Sequence, residues 1–355
     1  VRLEHISIAN LGDDLEKRWS ALLLQSDAFG SPFYSPAFAK VVGRHHENLR
    51  IGLIETAGAV TGILPFHRCA GGRGAPVGGH ACDYQGIIGT LPAPSLSGEL
   101  LRGFGLAAYD FDHALADQAL FAQQAFKVGN SPRADLRQGY DNWCADVAGK
   151  TNALKTLARK ERKLARHIGP LTFKFHDTSP KAWPTFVHWK AEALKHFGVH
   201  FLADTKDARL LEDLRDEQGP ELQGRLSTLY AGDRLVAAHF GIATPRAWHW
   251  WFPSYDPQMG NLSVGLILMR HCIQTAADEG IGELDFGRGN ERYKVEFSNQ
   301  SRALCEGSLE RPIHPIGALR WLRKAVQKQG NRLLPAQQAD LLHRAGKKLL
   351  KAGRL

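Results

Sequence analysis

Gly282-Glu-Leu-Asp-Phe-Gly-Arg-Gly-Asn-Glu-Arg-Tyr-Lys294 carries a short apolar strand straight into a glycine-opened loop crowded with ionisable side chains. Gly287 and Gly289 free the backbone where the strand ends. Asp285, Arg288, Glu291, Arg292, Tyr293 and Lys294 supply acid, base and hydrogen-bonding groups within the same loop. Taken alone, the stretch fits an ordinary polar turn as well as a ligand-holding loop. Its surroundings decide the fold. The aromatic-rich run Arg246 to Ser254 reads as a strand, Gly260 to Gly265 as a small-residue loop, and Ser263 to Glu279 as a helix that returns the chain to the strand at Glu283 to Phe286.

Working outward, strands and helices alternate, which predicts an α/β architecture with mixed α+β sheets. Leu49 to Glu55 and Val60 to His67 form one expected hairpin, and Leu226 to Tyr230 with Arg234 to Ile242 a second. Each precedes a helix, Ser95 to Ala108 in the first case and Ser263 to Glu279 in the second, so the chain reads as two similar halves. Between them, Leu154, Leu157, Glu161, Leu164 and Ile168 keep a helical register while Lys155, Arg159, Lys160, Arg162, Lys163 and Arg166 crowd the other faces; Gly169-Pro170 ends this helix. It reads as a linking helix with a solvated basic face or as a phosphate-contacting surface.

The chain has 355 residues and a net charge of +9. Residues 317–355 hold ten Lys or Arg against Asp340 alone, so the tail accounts for all of that charge and residues 1–316 are neutral overall. The tail is amphipathic, with Leu319, Leu322 and Val326, then Leu341, Leu342, Ala345 and Leu349, at helical spacing. It reads as a helix pair docked on the protein or as a basic surface for an anionic membrane. A nucleic-acid partner is not expected. The five cysteines show neither a disulfide framework nor a CxxC pair. With no signal core and no run long enough to span a bilayer, a cytoplasmic protein is expected, peripheral at the inner face of the membrane if the tail binds it. No metal site is expected: His196 and His200 are four apart, but Gly198 lies between them and no Glu follows His196.

Several residue types carry chemistry. A helix N-terminus offers unpaired N–H groups and the positive end of the dipole, so Asn261, Ser263, Val264 and Gly265 are the expected anion-binding positions. His239 interrupts an apolar strand and titrates in a useful range. Asp285, at a strand end, is the rival base. Asp83, Tyr84 and Gln85 are candidates for an acceptor pocket, as are Tyr255, Arg288 and Lys294.

The succession Ser-Tyr-Asp-Pro (254–257), Ser-Val-Gly-Leu-Ile-Leu (263–268) and Asp-Phe-Gly-Arg-Gly-Asn-Glu-Arg-Tyr-Lys (285–294), with Cys-Asp-Tyr-Gln-Gly (82–86) and the basic helix, resembles the bacterial GNAT-type acyltransferases grouped with CelD cellulose-biosynthesis and Fem-like proteins. The resemblance covers roughly residues 30–310. It implies two tandem GNAT-like domains, 1–148 and 149–312, followed by a basic helical tail, 313–355. It also implies an acyl-thioester donor, acyl-CoA, in the second, with its pyrophosphate on Gly260 to Gly265, although the paired glycines of the usual phosphate signature are missing. Tyr293 then becomes the acid for the leaving thiolate, and backbone N–H groups around Trp250 to Phe252 the oxyanion donors. The implied activity is N-acyl transfer, of groups other than aminoacyl, to an amine on a lipid or cell-envelope glycan precursor. Two alternatives stand beside it: Fem-like transfer from aminoacyl-tRNA, and a non-catalytic scaffold of exopolysaccharide assembly.

Overall fold

A computed structural model describes residues 1–91, 97–196 and 205–311 of the chain. The tail over 313–355, with its basic stretch 317–355, and His200 lie outside the described residues.

Strands from both halves join one 15-stranded mixed sheet. From one edge it runs Arg2–Ser7, Leu49–Thr56, Ala59–Cys69, Arg73–Pro76, Ala108–Leu115, Gln300–Glu310, Ala125–Asp135, Glu283–Asp285, Trp248–His249, Arg234–Ala243, Leu222–Ala231 and Leu171–Lys174. Both expected hairpins are present. The first turns tightly through Ala57 (φ 51°) and Gly58 (φ 80°), the left-handed pair that a two-residue hairpin loop demands. Parallel pairing occurs once in each half between named strands, at Arg73–Pro76 with Ala108–Leu115 and at Trp248–His249 with Glu283–Asp285.

Two central strands escape the sequence reading. Ala125–Asp135 contains Gly129, Asn130 and Pro132 and shows no clean alternation, yet it pairs with Gln300–Glu310 on one side and Glu283–Asp285 on the other. Gln300–Glu310 then pairs with Ala108–Leu115. The last described strand is therefore built into the first half, and a first-half strand reaches into the second. Pairing across so much chain leaves no short-range signature.

The helices follow their patterns more closely. The expected 151–168 helix spans Ala153–His167, with Leu157 and Leu164 buried, and the 263–279 helix spans Val264–Asp278, burying Val264, Ile267, Leu268, Cys272, Ile273 and Ala276 at helical spacing. Among the described residues of the expected 95–108 helix, Ser97–Gly103 is helical and Ala108 already belongs to a strand. The aromatic strand is broken into Trp248–His249 and Phe252–Tyr255, with a bulge between.

One apolar cluster runs across both halves, joining Trp19, Phe33, Phe38 and Leu115 to Trp183, Phe186, Leu211, Phe240 and Leu304. The halves share a core as well as a sheet, so they should unfold together. Leu304 is 0% exposed on the closing strand, and Leu304→Ala should cost about 2–5 kcal/mol in a single denaturant transition. Two separated transitions would show that the halves fold independently.

Candidate active site at the strand divergence and the junction of the halves

The parallel strands Trp248–His249 and Glu283–Asp285 stay together as far as the bond from Trp250 N–H to the Asp285 carbonyl (2.7 Å). Beyond it, Phe252–Tyr255 pairs with Arg234–Ala243 while the chain after Asp285 turns away. The result is a V-shaped opening. Asp256 N–H bonds to Val236 O (3.1 Å), and antiparallel alternation then points the backbone groups of residues 252 and 254 at Arg234–Ala243 and those of Pro253 and Tyr255 at the open edge.

His239 holds this bulge open. It is 0% exposed and stacks on Trp250 (centroids 4.1 Å apart). Its Nε2 receives the Trp251 N–H (3.1 Å) and lies 3.1 Å from the His249 carbonyl. Burial lowers its pKa to about 3. Its Nε2 is thus engaged by the backbone of the bulge, and burial keeps the enclosed imidazole neutral. Of the N–H groups expected as oxyanion donors, that of Trp250 bonds to the Asp285 carbonyl, that of Trp251 to His239 Nε2, and that of Phe252 faces the neighbouring strand.

The open edge leads to the start of the Val264–Asp278 helix. Ser263 adopts a left-handed conformation (φ 57°), and its side chain does not cap the helix. Its Oγ instead accepts a hydrogen bond from Lys160 (2.7 Å), which brings a cation from the basic helix to the helix N-terminus. Glu161 fixes that approach, bonding to Arg270 and to His271 Nε2 (2.8 Å) on the Val264–Asp278 helix. Asn261 is exposed and Val264 buried, so Val264 offers only its N–H group. Gly265 and Gly260 lie under the half-exposed Tyr255 ring.

The other site residues meet where the halves join. Asp285 is fully buried: Oδ2 accepts from the Tyr84 hydroxyl (2.5 Å), and Oδ1 from Ser131 Oγ (2.7 Å) and the Gly287 N–H (2.8 Å). Gly287 reaches that position at φ 74°, open to glycine at little cost. Three donors drawn from both halves thus meet on Asp285, which ties the junction together. Gln85 is similarly committed, to Asp112 Oδ1 (2.6 Å) and to the backbone N–H groups of Asp112 and His113. Arg288 bonds to the Asp112 carbonyl and to Glu306 (3.3 Å). Lys294, 7% exposed, holds the loop through the Gly287 and Arg288 carbonyls (3.3 and 3.2 Å) and Glu291 (3.2 Å). Asp83 differs. No described residue hydrogen-bonds its carboxylate, which faces Lys294 across Gly287; a methyl group at Gly287 would stand 3.7 Å from Asp83 Oδ2 and 3.9 Å from Lys294 Nζ. Burial raises its pKa, with Asp285 and Asp112 adding and His113 and Lys294 opposing.

Tyr293 stands on the short helix Arg292–Phe297 that follows the loop, with the Trp250 side chain as its partner. Burial, then Glu291, pushes its phenol up to about 12, so it stays protonated at neutral pH. Ser131, His249 and Ser31 were missed by the sequence reading. His249 is 1% exposed and pairs with Ser31 Oγ (2.9 Å); its histidine lay in the aromatic strand, but nothing local points to its partner 218 residues away. Among the described residues, no group of three or more His, Cys, Asp or Glu could hold a metal ion, and no helix is long and apolar enough to cross a membrane.

Residues 151–295 match the family described as Acetyltransferase (GNAT) domain. No curated protein matches the chain. Among solved structures it is similar to FemX (TM-score 0.55, 10% identity, covering 87% of this chain and 97% of that one). It is also similar to a tandem GNAT protein from the clavulanic acid biosynthesis pathway (0.51, 12%, 87% and 99%). A third is the C-terminal domain of a putative lysylphosphatidylglycerol synthetase from Agrobacterium fabrum (0.52, 13%, 82% and 91%). The fold is thus a mixed α/β, tandem-GNAT-like one, and the span that matches the GNAT family ends within the short helix Arg292–Phe297.

The buried imidazole gives a pH test of the bulge. A folded-state pKa of about 3 lies below the ordinary value of 6.5, so the fold favours neutral His239. That stabilisation is complete above pH ~6.5 and is lost on acidification toward pH ~3, at up to about 1.4 kcal/mol per pH unit. His239→Gln should lower stability at pH 7 and show a shallower loss between pH ~6.5 and ~4 in urea titrations. Parallel pH profiles for variant and wild type would refute the assignment.

Proposed function

We propose that the protein is an N-acyltransferase that moves an acyl group from a thioester donor, acyl-CoA, to an amine on a lipid or cell-envelope glycan precursor. The observation that carries this reading is the match over 151–295 falling on a divergent strand pair that opens onto a helix N-terminus with Lys160 beside it. The N–H groups at Val264 and Gly265, with Lys160, suit the donor's pyrophosphate. The Pro253 carbonyl and the Tyr255 N–H at the open edge suit the amides of its extended arm. The narrower likeness to the CelD group rests on the motifs alone.

The chemistry needs a neutral amine, a stabilised oxyanion and a proton for the leaving thiolate. Asp83 is the base in this reading, because no described residue hydrogen-bonds its carboxylate and burial raises its pKa. The amine nitrogen bonds to the thioester carbon, its proton passes to Asp83, the C–S bond breaks, and the protonated Tyr293 supplies the thiolate. Asp285, Gln85, Arg288 and Lys294 hold Asp83 and Tyr293 across the junction. A second reading, transfer from aminoacyl-tRNA, draws on Lys155, Arg159, Arg162, Lys163 and Arg166, all exposed on the helix that delivers Lys160. The tail, as a contact with an anionic membrane peripheral to the cytoplasm, remains part of the first proposal.

Thiol release from acyl-CoA in the presence of amine-bearing lipids or glycan precursors tests the assignment. Asp83→Asn and Tyr293→Phe should each lower turnover by about 10²–10⁴ with little change in donor binding. Turnover within about threefold of wild type in both variants would remove these roles. Turnover with aminoacyl-tRNA but no acyl-CoA would favour the second reading, and neither donor being used would leave the scaffold alternative.

A further inference from the structure

Lys190 breaks the apolar stripe of its helix. On Ala182–His196 the sheet-facing positions are Trp183, Phe186 and Val187, and the next in that register is a lysine. Its half-buried side chain runs over the Phe252 ring (5.4 Å to the centroid), and Nζ donates to the Pro253 carbonyl (3.2 Å). The antiparallel alternation that fixes Asp256 against Val236 directs the Pro253 carbonyl away from Arg234–Ala243 and into the V-shaped opening. The Lys190 amine therefore sits at the open edge, where the donor's arm is proposed to run.

We propose that Lys190 is a self-acylation site, taking an acyl group from a thioester bound in this opening. The inference rests on the acyl-thioester reading above. The neutral amine attacks the thioester carbon, a C–N bond forms and the C–S bond breaks, and the proton released from nitrogen leaves with the thiol. The products are Nζ-acyl-Lys190 and one free thiol, with loss of a positive charge from the opening. Burial lowers the Lys190 pKa to about 8, so an appreciable neutral fraction exists near neutral pH where an exposed lysine has almost none. The charged or titratable group facing it from the adjoining strand is His239, itself held neutral; on its own helix, Glu192 is paired with Lys195 (2.5 Å).

The test incubates the full chain with acetyl-CoA and no acceptor amine, then maps acetylation by intact-mass and peptide mass spectrometry, with donor binding measured separately by calorimetry. The expected result is one acetyl group per chain at Lys190, formed at least tenfold faster than at the exposed Lys155 and Lys163, and abolished in both Lys190→Arg and Lys190→Met. Trace labelling with acetic anhydride, which needs no donor site, should show Lys190 reactivity rising with a midpoint near pH 8. Acetyl-CoA binding with Lys190 left unmodified, or modified no faster than the exposed lysines, overturns the inference while leaving the acyl-transfer reading intact. Absence of any acetyl-CoA binding overturns both, and in that case an anhydride midpoint near that of an ordinary lysine shows separately that the amine is not activated.

Discussion

The buried carboxylate of Asp285 is the constraint around which the junction is arranged. Leaving such a group without partners would cost several kcal/mol, so the chain must bring donors to it from far away in sequence. Tyr84 and Ser131 come from the first half and the Gly287 N–H from the second. Ser131 can reach only because Ala125–Asp135 crosses to pair with Glu283–Asp285, and that crossing leaves the place beside Ala108–Leu115 to be filled by Gln300–Glu310. Ion pairs from Arg133 (3.0 Å) and Arg302 (3.2 Å) to Glu283 brace the same three strands. The strand exchange and the polar junction therefore require each other.

The two halves repeat one design and use it differently. In the first, Gln85 and Ala114 make a parallel bridge before the strands part, as Trp248–His249 and Glu283–Asp285 do in the second. There the open edge is closed by the chain itself: the Gln118 carboxamide accepts from the Ile87 N–H (2.9 Å) and donates to the Ile87 carbonyl (2.7 Å), taking the place of a neighbouring strand. In the second half the corresponding edge begins at Pro253, which has no N–H to pair, and among the described residues it is the Lys190 amine that meets its carbonyl. This difference favours the second opening for the ligand of the proposed reaction.

Local features were legible in the sequence because local forces make them. The hairpins, the basic helix, the Val264–Asp278 helix and the glycine-opened loop all follow from spacing and turn chemistry, and Asp83, Tyr84, Gln85, Asp285, Arg288 and Lys294 do converge on one junction. Their separate roles were not legible. His239 interrupts an apolar strand, and its imidazole bonds to the backbone of a bulge that cannot be foreseen before the strands are paired. Ser131 and the two central strands were hidden by the range of their contacts, and Lys190 by the ambiguity of a lone cation on a half-buried helix.

Satisfaction of polar groups separates scaffold from chemistry at this junction more sharply than residue type does. Asp285, Gln85, Arg288 and Lys294 are all chemically capable, yet each has partners within the protein, and diverting any of them to a ligand would strand a buried group at a cost of about 1–3 kcal/mol or more. A side chain that reacts in every cycle must be able to change partners without that penalty. For the proposed acyl transfer, Asp83, whose carboxylate no described residue hydrogen-bonds, meets that condition. In the proposed reaction, the bonds from Lys294 to the Gly287 and Arg288 carbonyls then serve to hold the loop beside Asp83.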